Sequence, residues 1–299
     1  MNESQKLSVE DLQEVARQVR RDIIKMLLCA KAGHCGGPLD ITDIMTALYF
    51  NVLSINPKNP SWPGRDYLFL SAGHLSTAWY AILARRGYFD IKELATFRKI
   101  SSRLQGHPAP VWTHGVPGVE IGSGSLGHGL GVAVGCALSL RLDGKPNRVY
   151  VLNSDGELQE GSSWEAIMAA AHHKVDNLIS IVDRNDCQID GFTRNIMNLE
   201  PLPEKWRAFG WFVQEIDGHS IEQLFHAIEE AEKEKGKPSV IIAHTIMGKG
   251  VSFMEGDYRW HGVPPNEEQG KRALAELAPT KYRDFIAFEW EKVHEVVVK

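Results

Sequence analysis

The chain has 299 residues, 43% of them hydrophobic, which is enough apolar content for one large α/β domain or two smaller ones. Its 33 Lys and Arg against 38 Asp and Glu give a net charge of −5, so nothing indicates a general attraction to nucleic acid or to an anionic membrane. No secretory leader and no apolar run of about 18 residues is present, so we expect a cytoplasmic protein that makes no use of membranes.

The first part of the chain is predicted to be mainly helical. Ser8 begins a helix, with Asp11 at capping-box spacing and apolar residues at helical period after it. A second apolar helix is predicted over 41–50. A Pro-rich loop follows, and then residues 67–70 predict a strand that ends just before a histidine.

A long segment over 101–131 is rich in Gly, Pro and His and has no regular period, and such segments inside compact domains are often functional. Within it, Gly122-Ser-Gly-Ser-Leu-Gly127 matches the dinucleotide-binding fingerprint, but no strand precedes it, which disfavours a nicotinamide site. We predict instead a loop over 124–131 that lets a ligand approach closely, before an apolar helix over 132–140. Glycines that only allow close helix packing are the alternative.

The most informative segment is a predicted strand, helix and strand. The first strand, 148–154, ends at Asp155-Gly156, a helix follows over 160–173, and the second strand, 178–183, leads to Asn185. A crossover of this length makes the two strands parallel. The two polar residues therefore come to the same edge of the sheet, where open α/β sheets bind their ligands.

Carboxylate and amide oxygens at that edge are suitable ligands for Mg²⁺, which also keeps phosphate oxygens and water among its ligands. The backbone carbonyl of Cys187 is a candidate third protein ligand, and the nearby helix N-terminus favours an anion. We predict a magnesium-bound diphosphate held by Asp155 and Asn185. The alternative is an ordinary strand-to-helix turn in which the Asp155 carboxylate acts as a cap.

The remainder continues the alternation of strands and helices. Strands are predicted over 211–216 and 239–243, with a charged helix over 221–235 between them. This order predicts an α/β fold with a mainly parallel sheet flanked by helices. We expect one domain over 1–299, with a helical tail from about residue 266.

The chain has 12 histidines. A structural role is enough for those in predicted helices or the tail, namely His172, His173, His226 and His294. Four others lie in Gly- or Pro-rich loops: His34, His74, His107 and His261. Imidazoles lining one pocket can move protons and hydrogen-bond hydroxyl groups near neutral pH. A zinc cluster is the alternative, although neither these histidines nor the four cysteines have the spacing of zinc ligands.

Short motifs follow one another along nearly the whole chain, namely Gly33-His34 with Gly36-Gly37-Pro38, Leu70-Ser71-Ala72-Gly73-His74, Phe97-Arg98, Gly106-His107-Pro108, Gly124-Ser125-Leu126-Gly127, Asp155-Gly156-Glu157-Leu158-Gln159-Glu160-Gly161, Asp183-Arg184-Asn185, Gly248-Lys249-Gly250 and Trp260-His261-Gly262. Their order and spacing resemble the thiamine-diphosphate-binding N-terminal part of transketolases. The resemblance implies the thiamine-diphosphate-binding fold, with thiamine diphosphate and Mg²⁺ as cofactors.

The resemblance also implies a role for each matching residue. The magnesium ligands would be Asp155, Asn185 and the carbonyl of Cys187. The residues at the cofactor would be His74, Gly124, Leu126, Gly156, Glu160 and Asn185. The substrate-facing, catalytic histidines would be His34, His107 and His261. Two glutamates would lie at a dimer contact that links the active sites: Glu160 and Glu165.

The chemistry implied is attack of the thiamine ylid on a ketose carbonyl, followed by transfer of a two-carbon ketol unit to an aldose. A phosphorylated ketose is the family default. Four residues depart from the usual pattern of the family: Cys35, Ser125, His128 and Ser154. None of them removes a ligand, and we expect Ser125 and His128 to reshape the pocket.

A full transketolase continues into a pyrimidine-binding domain and a C-terminal domain, which carry the glutamate that activates the cofactor and the arginines that hold phosphate. We therefore expect a complementary C-terminal subunit, self-association into an α2β2 assembly, and no activity without that subunit. Two alternatives stay open. One is half of another thiamine enzyme, similar to deoxyxylulose-phosphate synthase or to a dehydrogenase E1 component, and the other is a non-catalytic cofactor-binding subunit.

Overall fold

The computed structural model describes residues 6–292, and seven strands lie within this range. They are β1 (Tyr67–Leu70), β2 (Val149–Ser154), β3 (Leu178–Arg184), β4 (Cys187–Gln188), β5 (Gly191–Phe192), β6 (Phe212–Asp217) and β7 (Ser239–His244). Five of them form one sheet in the order β1-β2-β3-β7-β6, and all neighbours in it are parallel. The short strands β4 and β5 form a separate antiparallel hairpin. The predicted parallel sheet is confirmed.

The helices of the described range are α1 (Val9–Ala30), α2 (Gly36–Asp40), α3 (Thr42–Ala47), α4 (Ser76–Arg86), α5 (Gly129–Leu142), α6 (Gly161–His172), α7 (Thr193–Ile196), α8 (Leu202–Ala208), α9 (Ile221–Lys233), α10 (Glu267–Leu277) and α11 (Glu289–Lys292). A π-helical turn, Leu48–Val52, continues α3, and 3₁₀ turns at Gly73–Leu75 and Gly156–Gln159 follow β1 and β2. Between residues 6 and 292, no helix combines the length and the apolar character needed to cross a membrane.

The sheet is buried on both faces, because alternate residues of each central strand point to opposite sides. On β2, Tyr150 and Leu152 pack in one apolar cluster with α1, α3, α4, α9 and α10. Val149 and Val151 pack in a second cluster with α5, α6 and α8. Full burial of an aliphatic side chain stabilises a fold by about 1.5–3 kcal/mol, so these two layers dominate the stability of the fold.

The start of α1 follows its prediction. The hydroxyl of Ser8 accepts a hydrogen bond from the backbone N–H of Asp11 at 3.1 Å, as an N-cap residue does. The apolar residues at helical period are at most 2% exposed: Leu12, Val15, Val19, Ile23 and Leu27.

Two helix boundaries differ from the prediction. The segment predicted as one helix over 41–50 is α3 and its π-helical turn, with α2 before it. Helix α5 begins at Gly129 rather than at residue 132, because the Gly129 N–H donates to the hydroxyl of Ser71 at 3.0 Å. That cap comes from a residue distant in the sequence, so local composition could not reveal it.

The predicted helical tail is only partly right. Helix α10 begins after Asn266, which forms a capping box with Gln269, but residues 278–288 are not helical. Residues 278–292, here called the strap, run against α1, where Arg21 and Lys25 bind the carboxylates of Asp284 and Glu291. The first five residues and 293–299, with His294, lie outside the described residues.

Because the five strands are parallel, their carboxyl ends meet at one edge of the sheet. The segments that follow β1, β2, β3 and β7 begin at Ser71, Asp155, Asn185 and Thr245. Every motif singled out at a strand end is therefore brought to the same edge.

Candidate functional site

The predicted magnesium ligands follow the paired ends of β2 and β3. The Asp155 carboxylate accepts hydrogen bonds from the backbone N–H groups of Gly156 at 2.7 Å and of Asp186 at 2.8 Å. The side-chain oxygen of Asn185 accepts from the N–H of Cys187 at 2.9 Å. The structure thus brings the three predicted ligands together in one network, at the edge where a ligand is expected.

The region around these predicted ligands is strongly acidic, because it contains three buried carboxyl groups: Asp40, Asp155 and Asp183. Burial and the neighbouring Asp183 raise the pKa of both Asp155 and Asp40 well above the ordinary value. Burial also raises the pKa of Asp183 to about 6. None of the three forms an ion pair with a lysine or arginine in the part of the chain described. A divalent cation bound to carboxylate, amide and carbonyl oxygens would favour the ionised form of these groups and offset its charge.

Three of the four loop histidines form a compact cluster. The ring centroids of His34 and His74 are 5.0 Å apart, those of His74 and His261 are 5.0 Å apart, and those of His34 and His261 are 5.6 Å apart. The fourth, His107, lies beside Gly124, where an added Cβ would be 3.4 Å from its ring. The loops after α1, β1 and β7 thus bring three imidazoles together, and the loop between α4 and α5 carries the fourth. The four rings of His34, His74, His107 and His261 are here called the imidazole wall.

Burial favours the neutral form of these imidazoles. Burial, with smaller effects of His261, His107 and Arg98, lowers the pKa of His34 to about 4. Burial also lowers the pKa of His74 well below its ordinary value, and it lowers those of His107 and His261. In its neutral form, each ring offers one N–H donor and one nitrogen acceptor. The Nδ1 atom of His261 is buried and has no hydrogen-bond partner within residues 6–292, as expected of a group that meets a ligand.

One cavity of about 190 Å³ extends from the acidic region at the ends of β2 and β3 to the imidazole wall. Seven of the predicted site residues line it, namely His74, Leu126, Gly156, Glu160, Asn185, Cys187 and His261. The other four predicted residues do not line it: His34, His107, Gly124 and Asp155. Asp155 is nevertheless bonded to Gly156, and the His34 ring contacts those of His74 and His261.

The glycine-rich loop is held by a residue that the sequence reasoning missed. The carboxyl group of Glu157 is fully buried and accepts hydrogen bonds from the N–H of Gly127 at 2.8 Å and from the hydroxyl of Ser71. Burial raises the pKa of Glu157. This group links the ends of β1 and β2 to the loop before α5, so it fixes the frame of the cavity.

The alternative explanation of the glycines holds in part. Gly127 has φ +83°, and an added Cβ would lie 2.6 Å from the hydroxyl oxygen of Ser162 and 2.7 Å from Cβ of Glu160. This glycine thus allows both a left-handed turn and close packing against α6. Gly124 has neither constraint and faces His107, so its lack of a side chain leaves space beside an imidazole.

A zinc site does not form at these histidines. Within the described chain, no three His, Cys, Asp or Glu side chains form a group that could hold a metal ion, and the four cysteines are free thiols. The predicted magnesium set includes only one such side chain, Asp155, since its other donors are an amide oxygen and a backbone carbonyl.

Comparisons with known proteins point to one family. A family model described as transketolase, thiamine diphosphate binding domain, matches residues 11–287. The 6-deoxy-6-sulfo-D-fructose transketolase subunit SqwG of Clostridium sp. strain MSTE9 is 45% identical over 267 residues, which cover 89% of this chain and 96% of that subunit. One of the subunits of apulose-4-phosphate transketolase from Actinobacillus succinogenes is 43% identical over 272 residues, which cover 91% of this chain and 97% of that relative.

Solved structures agree with this. Transketolase from Campylobacter jejuni superposes with a TM-score of 0.85 at 36% identity, over 96% of this chain and 46% of that chain. Transketolase from Leishmania mexicana gives 0.85 at 31% identity, over 97% of this chain and 44% of that chain. The expected thiamine-diphosphate-binding fold is confirmed, and the chain spans less than half the length of these transketolases.

Proposed function

The chain belongs to the transketolase family, in its thiamine-diphosphate-binding domain, and on that premise we propose that it is the N-terminal subunit of a two-subunit transketolase. It would transfer a two-carbon ketol unit from a ketose to an aldose. The observation that carries this proposal is a cavity lined both by residues at the acidic strand ends and by the imidazoles of His74 and His261. Bound thiamine diphosphate would supply the nucleophilic carbon and the electron sink for cleavage of the sugar.

The cofactor would be held through a magnesium ion. Asp155, Asn185 and the carbonyl of Cys187 are the proposed protein ligands, and the gathering of three buried carboxyl groups supports a divalent cation there. Gly156 and His74 line the same cavity and would lie at the diphosphate. Gly124 and Leu126 would lie near the thiamine rings.

The imidazole wall would orient the sugar. As neutral rings, His34, His107 and His261 can each donate to one hydroxyl and accept from another. They can also hold a proton at a free ring nitrogen while a hydroxyl of the donor sugar becomes a carbonyl and the carbonyl of the acceptor becomes a hydroxyl. The relatives named above act on sugars with a sulfonate or a phosphate. We therefore propose an anionic-tailed ketose as donor, with the tail bound by another chain.

That other chain would be a complementary C-terminal subunit that carries the pyrimidine-binding half. The subunit relatives have almost the length of this chain, and full-length transketolases have more than twice as much, which supports this division. The proposed compartment is the cytoplasm.

An α2β2 assembly would follow from self-association of this chain through α5 and α6. Val132 and Met168 are 42% and 55% exposed on these packed helices, beside Gly131 and Gly135, whose lack of side chains leaves an open face. Glu160, which lines the cavity, and Glu165, exposed on α6, would lie at this contact.

The direct test is reconstitution. The chain, its complementary subunit, thiamine diphosphate and Mg²⁺ should together transfer a ketol unit between sugars, and each protein alone should not.

His107→Ala or His261→Ala in the complex should lower turnover by at least about tenfold if the imidazole wall transfers protons. Full turnover by this chain alone would contradict the two-subunit proposal, and unchanged turnover in both variants would favour a non-catalytic subunit. Pyruvate as the better donor would favour the other thiamine enzymes.

The cation site has its own prediction. Asp155→Ala should abolish Mg²⁺-dependent binding of thiamine diphosphate, measured by calorimetry, because it removes the only carboxylate among the proposed ligands. Asp143→Ala is the control, since this acid is exposed at the opposite edge of the sheet. Tight, magnesium-dependent binding that survives Asp155→Ala would exclude this aspartate as a ligand.

A further inference from the structure

The amide group of Asn185 is held by two carboxyl groups from two different elements. Its nitrogen donates one hydrogen bond to Asp183 Oδ2 at 3.2 Å and another to Asp40 Oδ2 at 3.0 Å. Asp183 lies at the end of β3, two residues before Asn185, and also accepts the hydroxyl hydrogen of Thr245. Both amide hydrogens are thus directed away from the oxygen that is proposed to face the cation.

Asp40 is the distant member of this arrangement. It is the last residue of α2, it is 0% exposed, and its Oδ1 atom has no hydrogen-bond partner in the described range. A buried carboxyl group placed among other carboxyl groups costs stability, so a hydrophobic residue would be expected here if packing were its only role. Its contact with Asn185 gives the group another purpose.

The two orientations of an amide group differ in chemistry. Rotation by 180° exchanges its oxygen and its NH₂ group, and an NH₂ group turned toward a cation would repel it instead of binding it. A single acceptor can engage only one of the two amide hydrogens, whereas two acceptors on the same side fix the plane of the group. Partners of metal ligands act in this way, by orienting the ligand before the metal arrives.

We propose that Asp40 is a positioning residue that holds the Asn185 amide with its oxygen toward the magnesium ion. This inference rests on the proposed function. It also connects the proposed cation site to the imidazole wall, because α2, which ends at Asp40, follows His34 closely in the chain. The segment at the start of α2 is also fixed by hydrogen bonds from the Cys35 N–H to the His261 carbonyl and from the Gly248 N–H to the Gly36 carbonyl.

The test is a Mg²⁺ titration of the full chain at saturating thiamine diphosphate, followed by calorimetry. Asp40→Ala should raise the half-saturating Mg²⁺ concentration by about 10–100-fold, the usual effect of removing a partner of a metal ligand. Asp40→Asn should stay within about threefold of the wild type, since its amide oxygen still accepts from Asn185. The matched control is Thr42→Ala, which removes one buried hydrogen bond, to the Pro38 carbonyl, from the same segment without touching Asn185.

Two further readouts separate positioning from a packing role. Without Mg²⁺ and cofactor, Asp40→Ala should melt at the wild-type temperature or above it, because it removes a carboxyl group from an acidic cluster. In the complex with the complementary subunit, saturating Mg²⁺ should restore its turnover number to near the wild-type value.

A half-saturating Mg²⁺ concentration of Asp40→Ala within about threefold of the wild type would overturn the inference. So would an Asp40→Asn variant as weak as Asp40→Ala, because charge rather than geometry would then decide. A lower melting temperature with unchanged Mg²⁺ binding would make Asp40 a packing residue. If the wild type itself showed no Mg²⁺-dependent cofactor binding, the proposed function would fail rather than the role of Asp40.

Discussion

At the scale of single residues, burial gives the imidazole wall its chemistry. An exposed histidine is partly charged near neutral pH, whereas His34 keeps a neutral ring until about pH 4 because its surroundings disfavour the charge. A neutral ring can accept a proton from a sugar hydroxyl, which a charged ring cannot. His34 therefore has the same hydrogen-bonding capacity throughout the physiological pH range.

His34 should make the stability of the fold depend on pH. Its pKa falls from 6.5 in the unfolded chain to about 4 in the folded protein, so the unfolded state binds more protons between these values. Stability from this residue is therefore complete above pH 6.5 and is lost as pH falls toward 4. At pH 5 the loss should be about 1–2 kcal/mol, after allowance for partial exposure of the ring.

The measurement is urea unfolding at pH 7.5 and pH 5.0, for the wild type and His34→Gln. The variant should lose less stability between the two pH values. The difference between the proteins isolates His34 from carboxyl groups such as Asp183, whose raised pKa acts in the opposite direction. His172→Gln, at the end of α6 and away from the imidazole wall, is the control. Equal losses in His34→Gln and the wild type would contradict the expected shift.

The sequence revealed some site residues and hid others for a physical reason. Asp155 and Asn185 were predictable because each directly follows a run of strand-forming residues, and parallel pairing brings such positions together. Asp40 and Glu157 act on partners 145 and 86 residues away in the chain. No local pattern encodes such contacts, so they became visible only in the folded structure.

At the scale of elements, ion pairs with α1 hold the strap, in addition to the packing of Tyr282, Phe285 and Trp290 against the first core cluster. Arg21 donates to Asp284 and to the carbonyl groups of Leu274 and Ala278, and fully buried Lys25 binds both Asp284 and Glu291. These two cations on successive turns of α1 hold the non-helical residues 278–288 and the short helix α11 in one path. The capping pattern at Ser8 and the helical period after it predicted α1, but no local pattern predicted that residues 278–288 after α10 are not helical.

Asp284→Ala should destabilise the protein by about 3 kcal/mol, because two buried cations then lose a partner. The favourable contacts also lower the pKa of Asp284 to about 2 against its burial, so its contribution is complete above about pH 4 and lost as pH falls toward 2. Urea unfolding at pH 7 measures the effect. Lys281→Ala in the same strap is the control, since its pair with Asp11 is exposed and should contribute nothing measurable. Equal effects of the two variants would exclude ionic anchoring of the strap.

At the scale of the whole molecule, α5 has an exposed side that includes Gly131, Val132 and Gly135, while its buried apolar residues pack in the second core cluster: Leu130, Ala133, Val134, Ala137 and Leu140. A helix that is apolar on nearly all sides normally packs on all sides. The sequence predicted α5 as apolar, but only the fold shows which side has no neighbour among the described residues.

Val132→Asp and Met168→Asp should therefore separate self-associated chains without loss of cofactor binding, because both side chains are exposed, on α5 and α6, and lie outside the cavity. Light scattering coupled to gel filtration gives the molecular mass of each variant. Ile100→Asp is the control, since Ile100 is apolar and 105% exposed but lies outside α5 and α6. Unchanged mass in both α5 and α6 variants would place self-association elsewhere.

The parallel sheet also has a second edge, at the amino ends of its strands. The turns over 143–146 and 235–237, which precede β2 and β7, are exposed and polar and lie at the far end of the strands from the cavity. Exposed turns of this kind tolerate insertions best. A fluorescent label, an affinity tag or a solid support attached at these turns would leave the carboxyl edge of the sheet free. The protein could then be labelled or immobilised without blocking the cavity.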